Sequence, residues 1–112
     1  MYNIYKITNT VNGLIYIGCT TKDIDTRMKG HKSRYRNRDT ELYKAMRKYG
    51  FDKFTIEVIE SGSDDSIRYS REKYFIDKLN AMNPSLGYNM TIGGLGTVGY
   101  TFTDEANKKI SL

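Results

Sequence analysis

The chain has 112 residues, a formal net charge of +5, ten tyrosines, four phenylalanines and no tryptophan, which fits one small domain with a modest core. Its single cysteine, Cys19, excludes an internal disulfide and a zinc cluster built on cysteines. The apolar runs are far too short to cross a bilayer and no signal peptide is visible, so we expect an intracellular protein with no membrane partner.

Two short β-rich segments open the chain on either side of the turn dipeptide Asn12-Gly13, which favours a hairpin. The strands are predicted over roughly residues 3–8 and 14–18. Because strand side chains alternate between faces, any loop of even length places Tyr5 and Tyr16 on the same face. A loop of four residues would place them directly opposite each other. The residues alone leave open whether these tyrosines belong to the core or to a reactive site.

A first helix is predicted from Asp23, a suitable N-cap, to about residue 36. Ile24 and Met28 mark its apolar side. Arg27 and His31 each lie roughly 60° around the helix from one of these apolar residues, at 3.6 residues per turn. The two polar side chains therefore border the buried side, where they can reach a cleft.

The rest of the chain alternates between helix and strand patterns. A second amphipathic helix is predicted over residues 40–49, with Thr40 as its cap and Gly50 at its end. Alternation of apolar and polar residues predicts a third strand over 53–60, and a long helix follows over about 64–82.

Positive charge is concentrated in one part of the chain. Residues 27–53 contain ten Lys and Arg against three Asp and Glu, a net of +7, and the remainder has a net of −2. Such a segment is typical of a surface that binds a polyanion. A solvated helical face is the alternative that charge alone leaves open.

One carboxylate falls on the packed side of the third helix. Glu72 is in line with the apolar residues Phe75 and Ile76, and burial of a carboxylate is costly unless a cation or hydrogen-bond donors compensate it. Glu72 could hold one Mg²⁺ completed by water and substrate phosphate, or it could form a salt bridge at the edge of the core. His31 is the only histidine, which excludes a zinc site rich in histidine.

An ordered set of motifs resembles the signature of the GIY-YIG nuclease superfamily over about residues 1–92. The set is NIY at 3–5, YIG at 16–18, Arg27 with His31 four residues later, KYG at 48–50, Phe54, Glu72 before YFI, and GYN at 87–89. The resemblance implies a small α/β (α+β) fold, with a three-stranded antiparallel sheet flanked by helices. It also implies metal-dependent hydrolysis of phosphodiester bonds in DNA.

The resemblance further implies roles for three of these residues. Glu72 would bind a single divalent cation, Mg²⁺, with Mn²⁺ as the alternative. Tyr5, assisted by His31, would take a proton from the attacking water. Because a free tyrosine has a pKa of ~10, this role needs a nearby cation or a proton acceptor.

The remaining matched residues receive supporting roles from the same resemblance. Arg27 would spread negative charge on the pentacoordinate phosphate through its planar set of donors. Tyr16 would orient water or phosphate, and Asn89 would form hydrogen bonds near the site. We therefore take Tyr5, Tyr16, Arg27, His31 and Asn89 as the candidate catalytic residues.

Double-stranded DNA is the partner that this interpretation predicts, and no obligatory protein partner is visible. Exposed cations of the basic segment would contact its phosphates, which positions a duplex without reading its sequence. The candidates for these contacts are Lys32, Arg34, Arg36, Arg38 and Lys48.

The end of the chain resembles the junction found in phage-type homing endonucleases. We predict a catalytic domain over residues 1–92, followed over 93–112 by a glycine-rich linker and the start of a truncated DNA-binding module. The alternatives are a nuclease of the restriction or repair type, a non-catalytic DNA-binding module on the same fold, and an RNA-binding α/β domain. The last of these would require aromatic side chains exposed on a sheet face.

Overall fold

Three antiparallel strands and three α-helices form the part of the chain that the structure, a computed structural model, describes, namely residues 1–90. The strands are β1 (Tyr2–Asn9), β2 (Ile15–Thr20) and β3 (Phe54–Gly62). The helices are α1 (Ile24–Arg34), α2 (Glu41–Tyr49) and α3 (Arg68–Lys78), with 3₁₀ turns at Phe51–Lys53 and Asp65–Ile67. The predicted fold class is confirmed.

The first strand lies at the centre of the sheet, whose order is β2-β1-β3. β1 pairs antiparallel with both neighbours, and a β-bulge on the β3 side follows Ile4. Because helices cover both faces of this strand, Ile4, Tyr5 and Ile7 are fully buried.

The hairpin register differs from the four-residue loop considered above. Thr8 and Ile15 form the last pair of the ladder, with six residues, 9–14, between them. Tyr5 then lies opposite Gly18, and Tyr16 opposite Ile7. The two tyrosines share one face, as an even loop requires, but they are offset by two positions, with their ring centroids 6.4 Å apart.

The core consists of two apolar clusters, one on each face of the sheet. Tyr5 and Ile7 pack with buried residues of α2, and Ile24 and Met28 of α1 join them. On the opposite face, Ile4 packs with residues of β2 and α3. Among residues 1–90, the helices are all too short or too polar to cross a bilayer.

The third helix is shorter than predicted. A 3₁₀ turn precedes it, and the Asp64 side chain caps this turn by accepting a hydrogen bond from the Ser66 amide. At the other end Asn80 adopts a left-handed backbone conformation with φ of 56°, which an α-helix cannot continue. The predicted linker and module at 93–112 lie outside the described residues.

Candidate active site

A cavity of about 180 Å³ opens beside the edge strand β2, between the helices of the two faces. Five of the six motif residues singled out in the sequence line it. They are Tyr16 on β2, Arg27 and His31 on α1, Glu72 on α3, and Asn89 after α3.

The sixth residue, Tyr5, lies fully buried behind the others. Its hydroxyl accepts a hydrogen bond from Arg27 Nε at 3.0 Å and is 2.9 Å from His31 Nε2. Burial raises the pKa of Tyr5 to about 12, and the nearby Arg27 charge opposes this rise. The hydroxyl therefore has both a cation and a proton acceptor within hydrogen-bond distance.

His31 is buried and bonded through both ring nitrogens. Its Nδ1 lies 2.8 Å from the hydroxyl of Tyr43 on α2, and its Nε2 faces Tyr5. Burial, with the charges of Arg27 and Arg34, lowers the pKa of His31 to about 3. A neutral imidazole has one donor and one acceptor nitrogen, so the three side chains form a directional chain of hydrogen bonds.

Tyr43 is the member of this chain of hydrogen bonds that the sequence analysis did not single out. It lies in the apolar face of α2, 7% exposed, where a tyrosine is ordinarily a core residue. The one available sign was its hydroxyl, since a buried tyrosine usually has a hydrogen-bond partner. Its partner, His31, lies on a different helix and is not evident from local sequence.

Tyr16 is the tyrosine that lines the cavity. Its ring packs edge-on to His31 with centroids 6.1 Å apart, and it also packs against Tyr5. Burial holds the pKa of Tyr16 well above its usual range, with contributions from Tyr5 and Glu72. Its hydroxyl is therefore a neutral donor and acceptor at neutral pH.

Glu72 is the one acidic residue among the described residues that line the cavity. The Cys19 thiol hydrogen-bonds to it, and burial together with the Glu72 charge raises the pKa of Cys19 to about 12. Within residues 1–90 there is no group of three or more His, Cys, Asp and Glu that could hold a metal ion. A single carboxylate in an open cavity still fits Mg²⁺, which typically takes one or two carboxylates and keeps several waters.

Asn89 acts on the backbone of the edge strand. Its Oδ1 accepts from the Ile17 amide and its Nδ2 donates to the Ile17 carbonyl, each at 2.8 Å. The side chain thus satisfies both backbone groups of the residue between Tyr16 and Gly18. This geometry makes Asn89 a positioning residue for β2.

The other residues of the GYN motif extend the same attachment. A side chain at Gly87 would overlap the backbone of Ala81. The Tyr88 amide donates to the Ile15 carbonyl, and the Tyr88 hydroxyl accepts from Asn9 and Asn12. Through these hydrogen bonds, the motif holds the segment after α3 against the β1–β2 hairpin.

The five cations predicted to contact DNA are all exposed, and none of them lines this cavity. Three lie over aromatic rings: Lys32 is 6.0 Å from the centroid of Phe51, Arg36 is 5.6 Å from that of Tyr35, and Lys48 is 5.3 Å from that of Tyr49. Lys32 and Arg34 lie on α1, Arg36 and Arg38 follow it, and Lys48 lies on α2. Their contact with DNA stays a prediction.

Comparison with known proteins gives a consistent result. A family model described as the GIY-YIG catalytic domain matches residues 1–88. Endonuclease segA of Enterobacteria phage T4 is 32% identical over 109 residues, 96% of this chain and 46% of that protein. A Neurospora crassa protein named as a probable intron-encoded endonuclease is 33% identical over 113 residues, 96% of this chain and 36% of that protein. The chain spans less than half the length of these curated relatives.

Solved structures show the same fold. The catalytic domain of the homing endonuclease I-TevI superposes with a TM-score of 0.68 at 26% identity, over 81% of this chain and 99% of that chain. A variant of that domain superposes with a TM-score of 0.69 at 27% identity. The likeness thus covers nearly the whole of the solved domain.

Proposed function

The chain belongs to the GIY-YIG nuclease superfamily, and we propose that it is the catalytic domain of a homing-type endonuclease that hydrolyses phosphodiester bonds of double-stranded DNA. The observation that carries the proposal is the Tyr5 hydroxyl held between Arg27 Nε and His31 Nε2. A tyrosine can act as a base only where a cation stabilises its phenolate or an acceptor takes its proton, and this hydroxyl has both.

The Tyr5–His31 pair would move the proton of the attacking water. His31 is neutral at physiological pH, and its Nε2 faces the Tyr5 hydroxyl while Tyr43 fixes the opposite nitrogen. A pKa of about 3 makes His31 a weak proton acceptor, and the negative charge of a bound phosphate would raise that pKa toward the value that this role needs. Tyr5 is fully buried. This role therefore requires the side chains that cover Tyr5 to move when DNA binds. Tyr16, which already lines the cavity, orients the water or the phosphate.

Arg27 stabilises the negative charge that develops on the phosphate. A guanidinium has five N–H donors in a rigid plane, of which Nε serves Tyr5, and planar donors suit phosphate oxygens. A preorganised donor of this kind acts on the transition state without reorganising.

Glu72 would hold one divalent cation in the cavity, with water and the phosphate of the substrate as the other ligands. When bound, such an ion would neutralise charge on the scissile phosphate and lower the pKa of the attacking water. Mg²⁺ is the ion that an oxygen-only donor set favours, and Mn²⁺ accepts the same ligands.

Single-turnover nicking of supercoiled plasmid in Mg²⁺ tests the assignment of the base. Tyr5→Phe is expected to slow nicking by about 10²- to 10⁴-fold, the usual contribution of general-base catalysis. Tyr74→Phe is the matched control, because Tyr74 is 44% exposed and lies outside the cavity. Full activity in Tyr5→Phe would show that Tyr5 is not the base, and loss in Tyr16→Phe alone would move that role to Tyr16.

A further inference from the structure

A second cavity, of about 300 Å³, adjoins the first. Arg27 lines both cavities. The other described lining residues come from the end of β2, from the turn that follows it, and from the start of α3. Three of the lining residues, Lys22, Arg27 and Arg68, are cations, and the described lining includes no acidic residue.

Arg68 is fixed in place before any ligand binds. Its guanidinium lies 4.5 Å from the centroid of the Tyr69 ring, and its Nη1 donates to the Asp65 carbonyl at 2.8 Å. A guanidinium held by stacking and a backbone hydrogen bond loses less conformational entropy when it binds an oxyanion. The side chain is therefore preorganised in the cavity wall.

Lys22 lines the cavity from the turn after β2, and its backbone amide and carbonyl both form hydrogen bonds there. The Lys22 amide donates to Thr20 Oγ1 at 3.0 Å, and the Lys22 carbonyl accepts from Asn3. The neighbouring hydroxyl of Thr21 is exposed and lines the same cavity. The cavity thus combines two exposed donors with the fixed guanidinium of Arg68.

Resting on the proposed function, we propose that this second cavity is a phosphate subsite, which holds the backbone phosphate next to the scissile one on the strand that is cut. Consecutive phosphates of one strand need two adjacent anion sites. The two cavities share Arg27, which can contact both phosphates. Lys22 and Arg68 would then fix the register of the strand over Glu72 and Tyr16.

This subsite differs from the basic surface predicted on α1 and α2. Lys22 and Arg68 both lie outside residues 27–53, the segment in which the sequence concentrates its positive charge. The fold brings them together because the end of β2 lies beside the start of α3. They are therefore positioning residues for the substrate, with no part in the bond cleavage itself.

The salt dependence of binding to a short fluorescent duplex, measured in EDTA so that no bond is cut, tests the proposal. The slope of log K against log salt falls by about one for each lost contact to phosphate. The variant Lys22→Ala/Arg68→Ala is expected to have a slope about two smaller than the wild-type chain. Lys73→Ala/Lys78→Ala is the matched control, since both lysines are exposed on α3 and line neither cavity.

Three outcomes would overturn the subsite: no change of slope in Lys22→Ala/Arg68→Ala, an equal change in the control, or no binding of the duplex by the wild-type chain. Loss of the Arg68 bond to Asp65 could loosen α3, so two further variants separate charge from folding. Lys22→Ala alone, which removes no side-chain bond within residues 1–90, should lower the slope by about one. Arg68→Lys, which keeps the charge, should keep the slope.

Plasmid nicking distinguishes a failure of this proposal from a failure of the proposed function. The subsite predicts that Lys22→Ala/Arg68→Ala nicks in Mg²⁺ with a raised KM and a kcat within a few-fold of wild type. If the double variant shows the expected change of slope but the wild-type chain never nicks, the subsite is supported and the nuclease is contradicted. If the wild-type chain nicks and the double variant has an unchanged slope, the subsite alone is contradicted.

Discussion

The ring of Tyr5 covers the α-carbon of Gly18, its partner across the β1–β2 ladder. A Cβ at position 18 would overlap the Cζ and Oη atoms of Tyr5. The glycine of the YIG motif is therefore needed by the tyrosine of the NIY motif, since any larger residue would displace the hydroxyl from Arg27 and His31. Gly62 of β3 has the same relation to Tyr2 on the opposite face of the sheet.

Gly18→Ala should therefore lower both stability and cleavage. An added methyl group in a packed core costs about 1–3 kcal/mol of unfolding free energy. Gly62→Ala is the matched control, because it produces the same kind of overlap with Tyr2, far from the cavity. Urea denaturation should show a similar loss of stability in both variants, whereas plasmid nicking below the unfolding transition should be lost only in Gly18→Ala. Equal nicking by the two variants would contradict the coupling of Gly18 to Tyr5.

Tyr43→Phe tests the chain of hydrogen bonds behind the cavity. Removal of the hydroxyl leaves Nδ1 of the buried His31 without its partner, which costs about 1–3 kcal/mol of stability. Nicking should slow by roughly tenfold, the equivalent of about 1.4 kcal/mol, because His31 loses its fixed tautomer. Tyr35→Phe removes an exposed hydroxyl whose one partner among residues 1–90 is Arg36, and it should change neither quantity. A normal nicking rate in Tyr43→Phe would remove Tyr43 from the mechanism.

Stability should fall as the pH falls from 7 to 5. His31 has a pKa of about 3 when folded and about 6.5 when unfolded, so below pH 6.5 protons bind the unfolded chain preferentially. The expected loss is about 2 kcal/mol between pH 7 and 5, from 1.36 kcal/mol for each pKa unit. Since this chain has one histidine, His31→Gln should remove most of this dependence. The same loss in His31→Gln would show that another group is responsible.

The two hydrogen bonds between the Asn89 side chain and the Ile17 backbone, here called the clamp, predict that a substitution at Asn89 changes hydrogen exchange locally. Asn89→Asp keeps an acceptor for the Ile17 amide but places a carboxylate oxygen against the Ile17 carbonyl, where Nδ2 now donates. The segment should open more easily, and the Ile17 amide should exchange roughly tenfold faster, for a loss of about 1.4 kcal/mol. Asn37→Asp, an exposed position, is the control. Unchanged exchange at Ile17 would show that the clamp contributes little in solution.

Much of the architecture could be predicted because it is encoded locally. The turn dipeptide between two β-rich segments identified β1 and β2, alternation identified β3, and the spacing of apolar residues identified α1 and α2. The ordered motifs also identified five of the residues that line the cavity, although not what Asn89 binds. The hairpin register could not be predicted, since Asn12-Gly13 favours a turn without setting the length of the loop around it.

Contacts between elements that are far apart in the chain also could not be predicted from the sequence. Tyr43 has the pattern of a core residue, and only the packing of α2 against α1 places its hydroxyl on His31. Lys22 and Arg68 are isolated cations in the chain and become neighbours only through the fold. Both cases depend on tertiary geometry, which periodicity and composition do not contain.

Conversion of supercoiled plasmid to the nicked form by wild type and by Glu72→Ala, in Mg²⁺ and in EDTA, tests the central claim most directly. Glu57→Ala is the matched control, because Glu57 is an exposed carboxylate of β3 whose partner is Lys6 on the surface. The wild-type chain and Glu57→Ala should nick in Mg²⁺ and not in EDTA, and Glu72→Ala should fold normally and leave the plasmid intact. Nicking by Glu72→Ala at the wild-type rate, or equal nicking by wild type in EDTA, would contradict a metal-dependent nuclease with Glu72 at its metal.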